Sequence, residues 1–77
     1  MTTVRHILQE KGSNVWTMPP DASVRDAVAL MHKNDVGLLV IANAGELVGI
    51  VSERDIARKI ILKEKSPVAT QVRDIMT

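Results

Sequence analysis

The sequence predicts a small α/β (α+β) fold, a β-α-β-β-α unit with a three-stranded mixed sheet and helices on one face. An apolar run at 37–42, a polar turn at 43–46 and a second apolar run at 47–51 are typical of a β-hairpin. The segment 24–33 carries its apolar residues at helical spacing instead. A chain of 77 residues has room for one such unit.

A short helix and a short strand are predicted before the main helix. Thr3 is positioned to cap a helix over 4–11, in which Val4, Ile7 and Leu8 share one face. The segment 15–18 is typical of a strand, and the two prolines that follow it end the strand.

The main helix is predicted to start at Ser23 and to run to about Lys33. Ser23 is a suitable N-cap, with Asp26 three residues later, and we interpret this pair as a helix cap only. The inward face of the helix is predicted from residues at positions i, i+3, i+4 and i+7, namely Val24, Ala27, Val28 and Met31.

The two later strands form the centre of the predicted sheet. The run 37–42 is apolar throughout, as in a strand that is buried on both faces, and 47–51 returns beside it. The strand at 15–18 joins 37–42 through a helix, so we expect a right-handed parallel crossover. So short a chain cannot fully cover both faces of its sheet, and we expect the uncovered sheet face, or the helix faces, to meet a partner.

The segment from Gly49 to Asp55 is the most informative part of the chain. A strand containing a glycine leads into Ser52 and Asp55, a Ser-x-x-Asp motif that opens a helix. This order places a hydroxyl, a carboxylate and free backbone N–H groups together, which suits a nucleotide's anion and sugar diol. The same motif is also a capping box that forms without any ligand, and the two interpretations are compatible. The helix is predicted to end by Ser66–Pro67 and to turn inward Ile56, Ala57, Ile60 and Ile61.

Composition excludes several classes of function. The net charge is +1 and Trp16 is the single aromatic residue, which gives no basis for a nucleic-acid or membrane partner. Without cysteine, disulfides and thiolate metal sites are excluded, and the separated His6 and His32 give no reason to expect a metal. The sequence has no recognisable nucleophile arrangement or phosphate-binding loop, so we expect a non-enzyme. It also shows no apolar run of membrane-spanning length and no signal-peptide core at its start, so we expect a cytoplasmic location.

An internal similarity indicates a repeat. The segment 4–8 (Val-Arg-His-Ile-Leu) resembles 72–76 (Val-Arg-Asp-Ile-Met), which begins after one complete β-α-β-β-α unit. We therefore expect residues 1–67 to form one motif, with its core at 15–62, and 68–77 to lead into a second motif.

Four segments in this order resemble the cystathionine-β-synthase (CBS) domain family. They are the strand, proline and helix cap at 15–24, the first-helix pattern at 26–31, the helix exit and strand at 35–41, and 49–56. The last segment matches the family's Gly-x-x-Ser/Thr-x-x-Asp signature. Residues 68–77 resemble the lead-in to the second motif of a tandem, the Bateman module.

The resemblance implies a non-catalytic regulatory domain that senses an adenosyl ligand between paired CBS motifs. That ligand would be AMP, ADP, ATP, NAD or S-adenosylmethionine, and no further cofactor is implied. In the family's signature, the position of Asp55 binds the ribose hydroxyls and that of Ser52 contacts phosphate, and Arg54 is placed to reach phosphate. The remaining implied site residues are Gly49, Val15, Thr17, Val36, Gly37 and Leu38. The implied partner is a second copy in a homodimer or a second CBS motif.

A second hypothesis is a structural dimerisation module with a vestigial nucleotide pocket. Ser52 and Asp55 would then be a helix cap alone. We interpret the basic run of Arg54, Arg58, Lys59, Lys63 and Lys65 as a solvated helix face, and the alternative is that Arg54 and Arg58 add positive charge near a phosphate. Substitution of Asp55 separates the two hypotheses, because a pure cap predicts lower stability without any change in ligand response.

Overall fold

The computed structural model describes residues 15–77 of the chain. Its elements in order are β1 (Thr17–Met18), α1 (Val24–Asn34), β2 (Leu38–Asn43), β3 (Glu46–Ser52), α2 (Glu53–Ile56), a π-helical turn (Ala57–Ile61) and a 3₁₀ turn (Val72–Asp74). The sheet has the order β1-β2-β3, with β1 parallel and β3 antiparallel to β2. The predicted fold class is confirmed, and the predicted helix at 4–11 lies outside the described residues.

The hairpin between β2 and β3 closes through a two-residue loop. Ala44 and Gly45 have φ angles of 53° and 83°, the left-handed backbone that the tightest hairpin turns require. Further along, Ile41 lies opposite Gly49 and Ala42 opposite Leu47, so β3 has one extra residue and the pairing is irregular there.

Burial along β2 differs in part from the prediction of a strand covered on both faces. Leu39 and Ile41 belong to the core, and Val40 is buried outside that core cluster. Leu38, by contrast, keeps 47% of its surface exposed. It lies on the opposite face from Leu39, where no helix of the described chain covers the sheet.

Helix α1 begins and ends at identifiable caps. The Asp26 N–H donates to Ser23 Oγ at 3.0 Å, which confirms the predicted N-cap, and Asp35 ends the helix at a left-handed φ of 53°. Of the predicted inward residues, Val24, Ala27 and Met31 are buried. The prediction was wrong for Val28, which is 43% exposed because it lies beside an open cleft instead of the core.

The second helix is shorter than predicted. After α2 the Leu62 N–H donates to the Ala57 carbonyl at 3.0 Å, the i to i+5 bond of a π turn, and the turn ends at Ile61. Ile56 and Ile60 contact the core as predicted, but the inward assignment of Ala57 and Ile61 was wrong. Ile61 is 66% exposed, so only Ile56 and Ile60 pack inward from this part of the chain.

The C-terminal segment, residues 67–77, is built into this unit. Val72 and Ile75 are members of its core cluster. The segment also completes the start of α1, whose first two N–H groups, from Val24 and Arg25, donate to the carbonyls of Thr70 and Pro67. The lead-in segment that the repeat indicated therefore stabilises the first motif, while the boundary at 67/68 stays a prediction.

Candidate functional site

Ser52 and Asp55 lie at the junction of β3 and α2. The Asp55 N–H donates to Ser52 Oγ at 3.2 Å, and the Ser52 N–H donates to Asp55 Oδ2 at 2.9 Å. Ser52 has extended backbone angles (φ −113°, ψ 165°), as an N-cap residue requires. These two bonds form a reciprocal capping box, which confirms the capping interpretation of the motif.

The expectation of free backbone N–H groups at this helix start needs correction. The Glu53 N–H donates to the Gly37 carbonyl at 3.0 Å, and the Asp55 N–H is taken by Ser52 Oγ. The reason is the close approach of the α1–β2 connection, which brings the Gly37 carbonyl to the Glu53 N–H. The N–H groups of Glu53 and Asp55 are therefore already paired within the chain.

The second carboxylate oxygen of Asp55 faces the C-terminal segment. Lys59 Nζ lies 3.2 Å from Asp55 Oδ1, and Thr77 Oγ1 donates to the same oxygen at 3.4 Å. Burial raises the pKa of Asp55, but the hydrogen bonds from Ser52 and the charge and hydrogen bond of Lys59 outweigh it, so the pKa lies below its ordinary value. The group is therefore an ionised, acceptor-only carboxylate at neutral pH.

The structure brings part of the predicted set together around Ser52. Leu38 lies opposite Ser52 in the pairing of β2 with β3, and Gly37 accepts the Glu53 N–H. Val36 precedes them and packs against the core. These backbone contacts place the α1–β2 connection next to the capping box.

The other predicted site residues are more widely spread. Thr17 lies in β1, opposite Val40 and across β2 from β3, and Val15 precedes it at the same edge of the sheet. Arg54 is exposed on the first turn of α2. Ligand contacts by these three residues stay predictions.

Gly49 has a packing role that its place in the signature did not reveal. A Cβ added at this position would lie 2.8 Å from Met76 Sδ and 3.0 Å from the Thr77 carbonyl oxygen. The absence of a side chain thus lets the C-terminal segment approach β3 closely. Contact of Gly49 with a ligand stays a prediction.

Sequence reasoning missed two residues that touch Asp55. Lys59 was assigned to the solvated helix face, although its i, i+4 spacing from Asp55 is the usual signal of a helical ion pair. Thr77 carries no local signal, because it is 22 residues from Asp55 along the chain.

A separate cleft of about 430 Å³ opens between α1 and α2. Its lining residues are Val28, Met31, His32, Asp35, Val36, Gly37, Glu53 and Ile56. Two predicted site residues, Val36 and Gly37, belong to this wall, but Ser52 and Asp55 do not. The cleft and the Asp55 carboxylate are therefore distinct features of the α2 start.

Within residues 15–77, no group of three or more His, Asp or Glu side chains is arranged to hold a metal ion. None of the helices in this described part of the chain is long and apolar enough to cross a membrane.

The described residues form a β-α-β-β-α unit with a capping box at the junction of its hairpin and the helix that follows. The family model for the CBS domain matches residues 3–62 of the chain. The chain therefore belongs to the CBS domain family, as the signature at 49–56 indicated.

Individual relatives agree with this membership. The chain is 40% identical over 84 residues to the CBS domain-containing protein CBSX3, mitochondrial, of Arabidopsis thaliana, covering 99% of this chain and 40% of that protein. A solved protein with CBS domains from Burkholderia ambifaria MC40-6 is 42% identical with a TM-score of 0.82, over 99% of this chain and 58% of that one. A hexameric CBS-CP12 protein from bloom-forming cyanobacteria is 33% identical with a TM-score of 0.75, over 82% and 38%. The chain thus spans less than two thirds of each relative's length.

Proposed function

We propose that this chain is a non-catalytic regulatory module that binds an adenosyl ligand where it pairs with a second CBS motif. The observation that carries the proposal is the ionised Asp55 carboxylate, held beside the Ser52 hydroxyl at the end of β3. The ligand class comes from family membership and comprises AMP, ADP, ATP, NAD and S-adenosylmethionine.

The chemistry of the junction suits a ribose. Two adjacent ribose hydroxyls are donors, and an ionised carboxylate is an acceptor with two oxygens at matching separation. The Ser52 hydroxyl, which donates to Asp55 Oδ2 at 3.1 Å, would turn to donate to a phosphate oxygen, and the exposed Arg54 guanidinium would add positive charge nearby. Adenine would lie against the apolar groups of 36–38 and of β1, with Val15 and Thr17 at its edge.

The open face of the sheet supports pairing with a second unit. Leu38 and Ile50 are on the face opposite the core and remain 47% and 37% exposed. Val48, in the irregular part of β3, is 43% exposed. A homodimer or a second CBS motif would bury this apolar surface and supply the other wall of the ligand site. The small net charge of +1 favours such a partner over nucleic acid or a membrane surface.

The second candidate is a pairing module with a vestigial pocket. It is favoured by the fact that both Asp55 oxygens already have donors within the chain, from Ser52, Lys59 and Thr77.

The cytoplasmic location expected from the sequence stays a prediction, since the Arabidopsis relative is named as mitochondrial.

A ligand panel on matched variants tests the proposal. Thermal unfolding of the wild type, Asp55→Asn and Asp26→Asn is followed with each of the five adenosyl compounds. Asp26 is the control because it occupies the same helix position in α1 while its side chain is 64% exposed. At about 100 times its dissociation constant, a ligand stabilises the folded state by about 2.7 kcal/mol. We expect this gain in the wild type and Asp26→Asn and its loss in Asp55→Asn; no gain in any protein would favour the pairing module.

A further inference from the structure

Lys59 links α2 to the last residues of the C-terminal segment. Its Nζ donates to the Ile75 carbonyl at 2.9 Å and lies 3.2 Å from Asp55 Oδ1. Thr77 Oγ1 reaches the same Asp55 oxygen at 3.4 Å. We call this group of Asp55, Lys59, the Ile75 carbonyl and Thr77 the clasp.

The clasp and Ser52 together fill the acceptor positions of the Asp55 carboxylate. Asp55 Oδ2 accepts from the Ser52 N–H at 2.9 Å and from Ser52 Oγ at 3.1 Å, while Oδ1 accepts from Lys59 and Thr77. An ionised carboxylate offers about four lone-pair sites, so all are used. A pair of ligand hydroxyls must therefore displace a donor. The Thr77 bond is the longest of the four and comes from an exposed residue, so it should yield first.

The end of the C-terminal segment can detach without unfolding the core. Thr77 is held to the edge of β3 by exchanging two backbone hydrogen bonds of 2.9 Å with Ile50, the pattern of an antiparallel pair. The deeper anchors are Val72 and Ile75, which are 0% and 3% exposed in the core. Loss of the Thr77 contacts leaves these anchors in place, so opening is a local event.

We propose that Lys59 and Thr77 are positioning residues that couple occupancy of Asp55 to attachment of the C-terminal segment. Ligand hydroxyls and Thr77 compete for Oδ1, so binding removes the Thr77 hydroxyl contact and weakens the attachment of Thr77 to β3. The identity of the ligand rests on the proposed function. Linkage makes the effect reciprocal, because a change that detaches Thr77 strengthens ligand binding by the same factor.

Amide hydrogen exchange in the protein without ligand tests the clasp itself. The Thr77 N–H, bonded to the Ile50 carbonyl, is the reporter, and the Val40 N–H, bonded to the Trp16 carbonyl, is the internal reference. We expect Lys59→Met to raise the exchange rate at Thr77 several-fold and to leave Val40 unchanged. Lys63→Met, which removes an exposed lysine four residues further along the chain, is the control and should change neither rate.

Ligand titration tests the competition. Thr77→Val keeps the shape of the side chain but removes the hydroxyl, so each ribose-bearing compound that binds the wild type should bind it several-fold more tightly. The same compound should speed exchange at Thr77 in the wild type. Unchanged affinity together with unchanged Thr77 exchange at saturation would overturn the competition and leave the proposed function standing.

Absence of binding by all five compounds would overturn the proposed function and the competition together. The exchange rate of Lys59→Met would still decide whether Lys59 holds the segment, because that measurement uses no ligand. Equal Thr77 exchange in Lys59→Met and the wild type would refute the clasp.

Discussion

A single carboxylate, that of Asp55, serves the folding of α2 and the candidate ligand site at once. Its capping box with Ser52 lies within four consecutive residues, so the motif was sufficient to predict it. Its bonds to Lys59 and Thr77 close the C-terminal segment onto the same group. The effects of Asp55 substitutions on the free energy of unfolding and on ligand binding therefore have to be measured separately.

The lowered pKa of Asp55 predicts an acid-sensitive contribution to stability. The folded state holds this carboxylate more readily ionised than the unfolded chain, whose Asp pKa is about 3.9. Its contribution is fully present above that unfolded value and is lost as the pH falls through the lower folded-state pKa. Urea unfolding as a function of pH should show a smaller acid loss in Asp55→Asn than in the wild type. Parallel pH profiles would contradict the assignment.

Ser52 and Ser23 provide a matched pair of helix caps. Each side-chain oxygen accepts the N–H of the residue three positions later, at 3.2 Å and 3.0 Å. Replacing either serine by alanine should lower the free energy of unfolding by about 1 kcal/mol in denaturant titrations. Only Ser52→Ala should also weaken binding of a phosphate-bearing adenosyl compound; an equal loss of affinity in Ser23→Ala would show that the effect is merely one of stability.

At the scale of elements, the C-terminal segment depends on the missing side chain at Gly49. Gly49→Ala brings a Cβ to 2.8 Å from Met76 Sδ and 3.0 Å from the Thr77 backbone oxygen. We expect a loss of about 1–3 kcal/mol in the free energy of unfolding and faster amide exchange at Thr77.

Gly37→Ala is the control for this substitution. Its added Cβ would come no closer than 3.3 Å, and only to the exposed side chain of Glu53, which can move. The clash account predicts a much smaller loss of stability than for Gly49→Ala. Equal losses would indicate that glycine content, and not the approach of Met76, decides the stability.

The strands and α1 were largely predictable because their signals are local. A two-residue loop ending in Gly45 fixes the hairpin, and Ser23 fixes the start of α1. The inward face of the last helix was predicted too wide, since helical spacing alone does not show that only Ile56 and Ile60, and not Ala57 and Ile61, contact the core. The predicted burial of Val28 was wrong for a different reason, because Val28 lines the cleft between α1 and α2.

The residues of the candidate site were likewise predictable only where their signal is local. Ser52 and Asp55 were predictable as neighbours within one motif, and Gly37 and Leu38 join them through the pairing of β2 with β3. The contact of Thr77 with Asp55 was not predictable, because the two residues are 22 positions apart and no sequence pattern marks their contact.

At the scale of the whole molecule, the open sheet face predicts self-association or pairing. A lysine at Ile50 or Val48 would place a charge in the apolar surface that a second unit would cover. In sedimentation velocity, Ile50→Lys and Val48→Lys should shift the protein towards the monomer. Leu62→Lys, on a residue that is 77% exposed at the end of the π turn, is the control and should not. Dissociation by Leu62→Lys alone would move the interface to the helical side.

The most direct test of the central claim is to map an adenosyl compound onto the backbone by amide chemical shifts. With ¹⁵N-labelled protein and AMP, we predict saturable changes at Leu38, Ser52 and Asp55, and their loss in Asp55→Asn. Changes confined to Val28, Met31 and His32 would place the ligand in the cleft between α1 and α2 and contradict a site at Asp55.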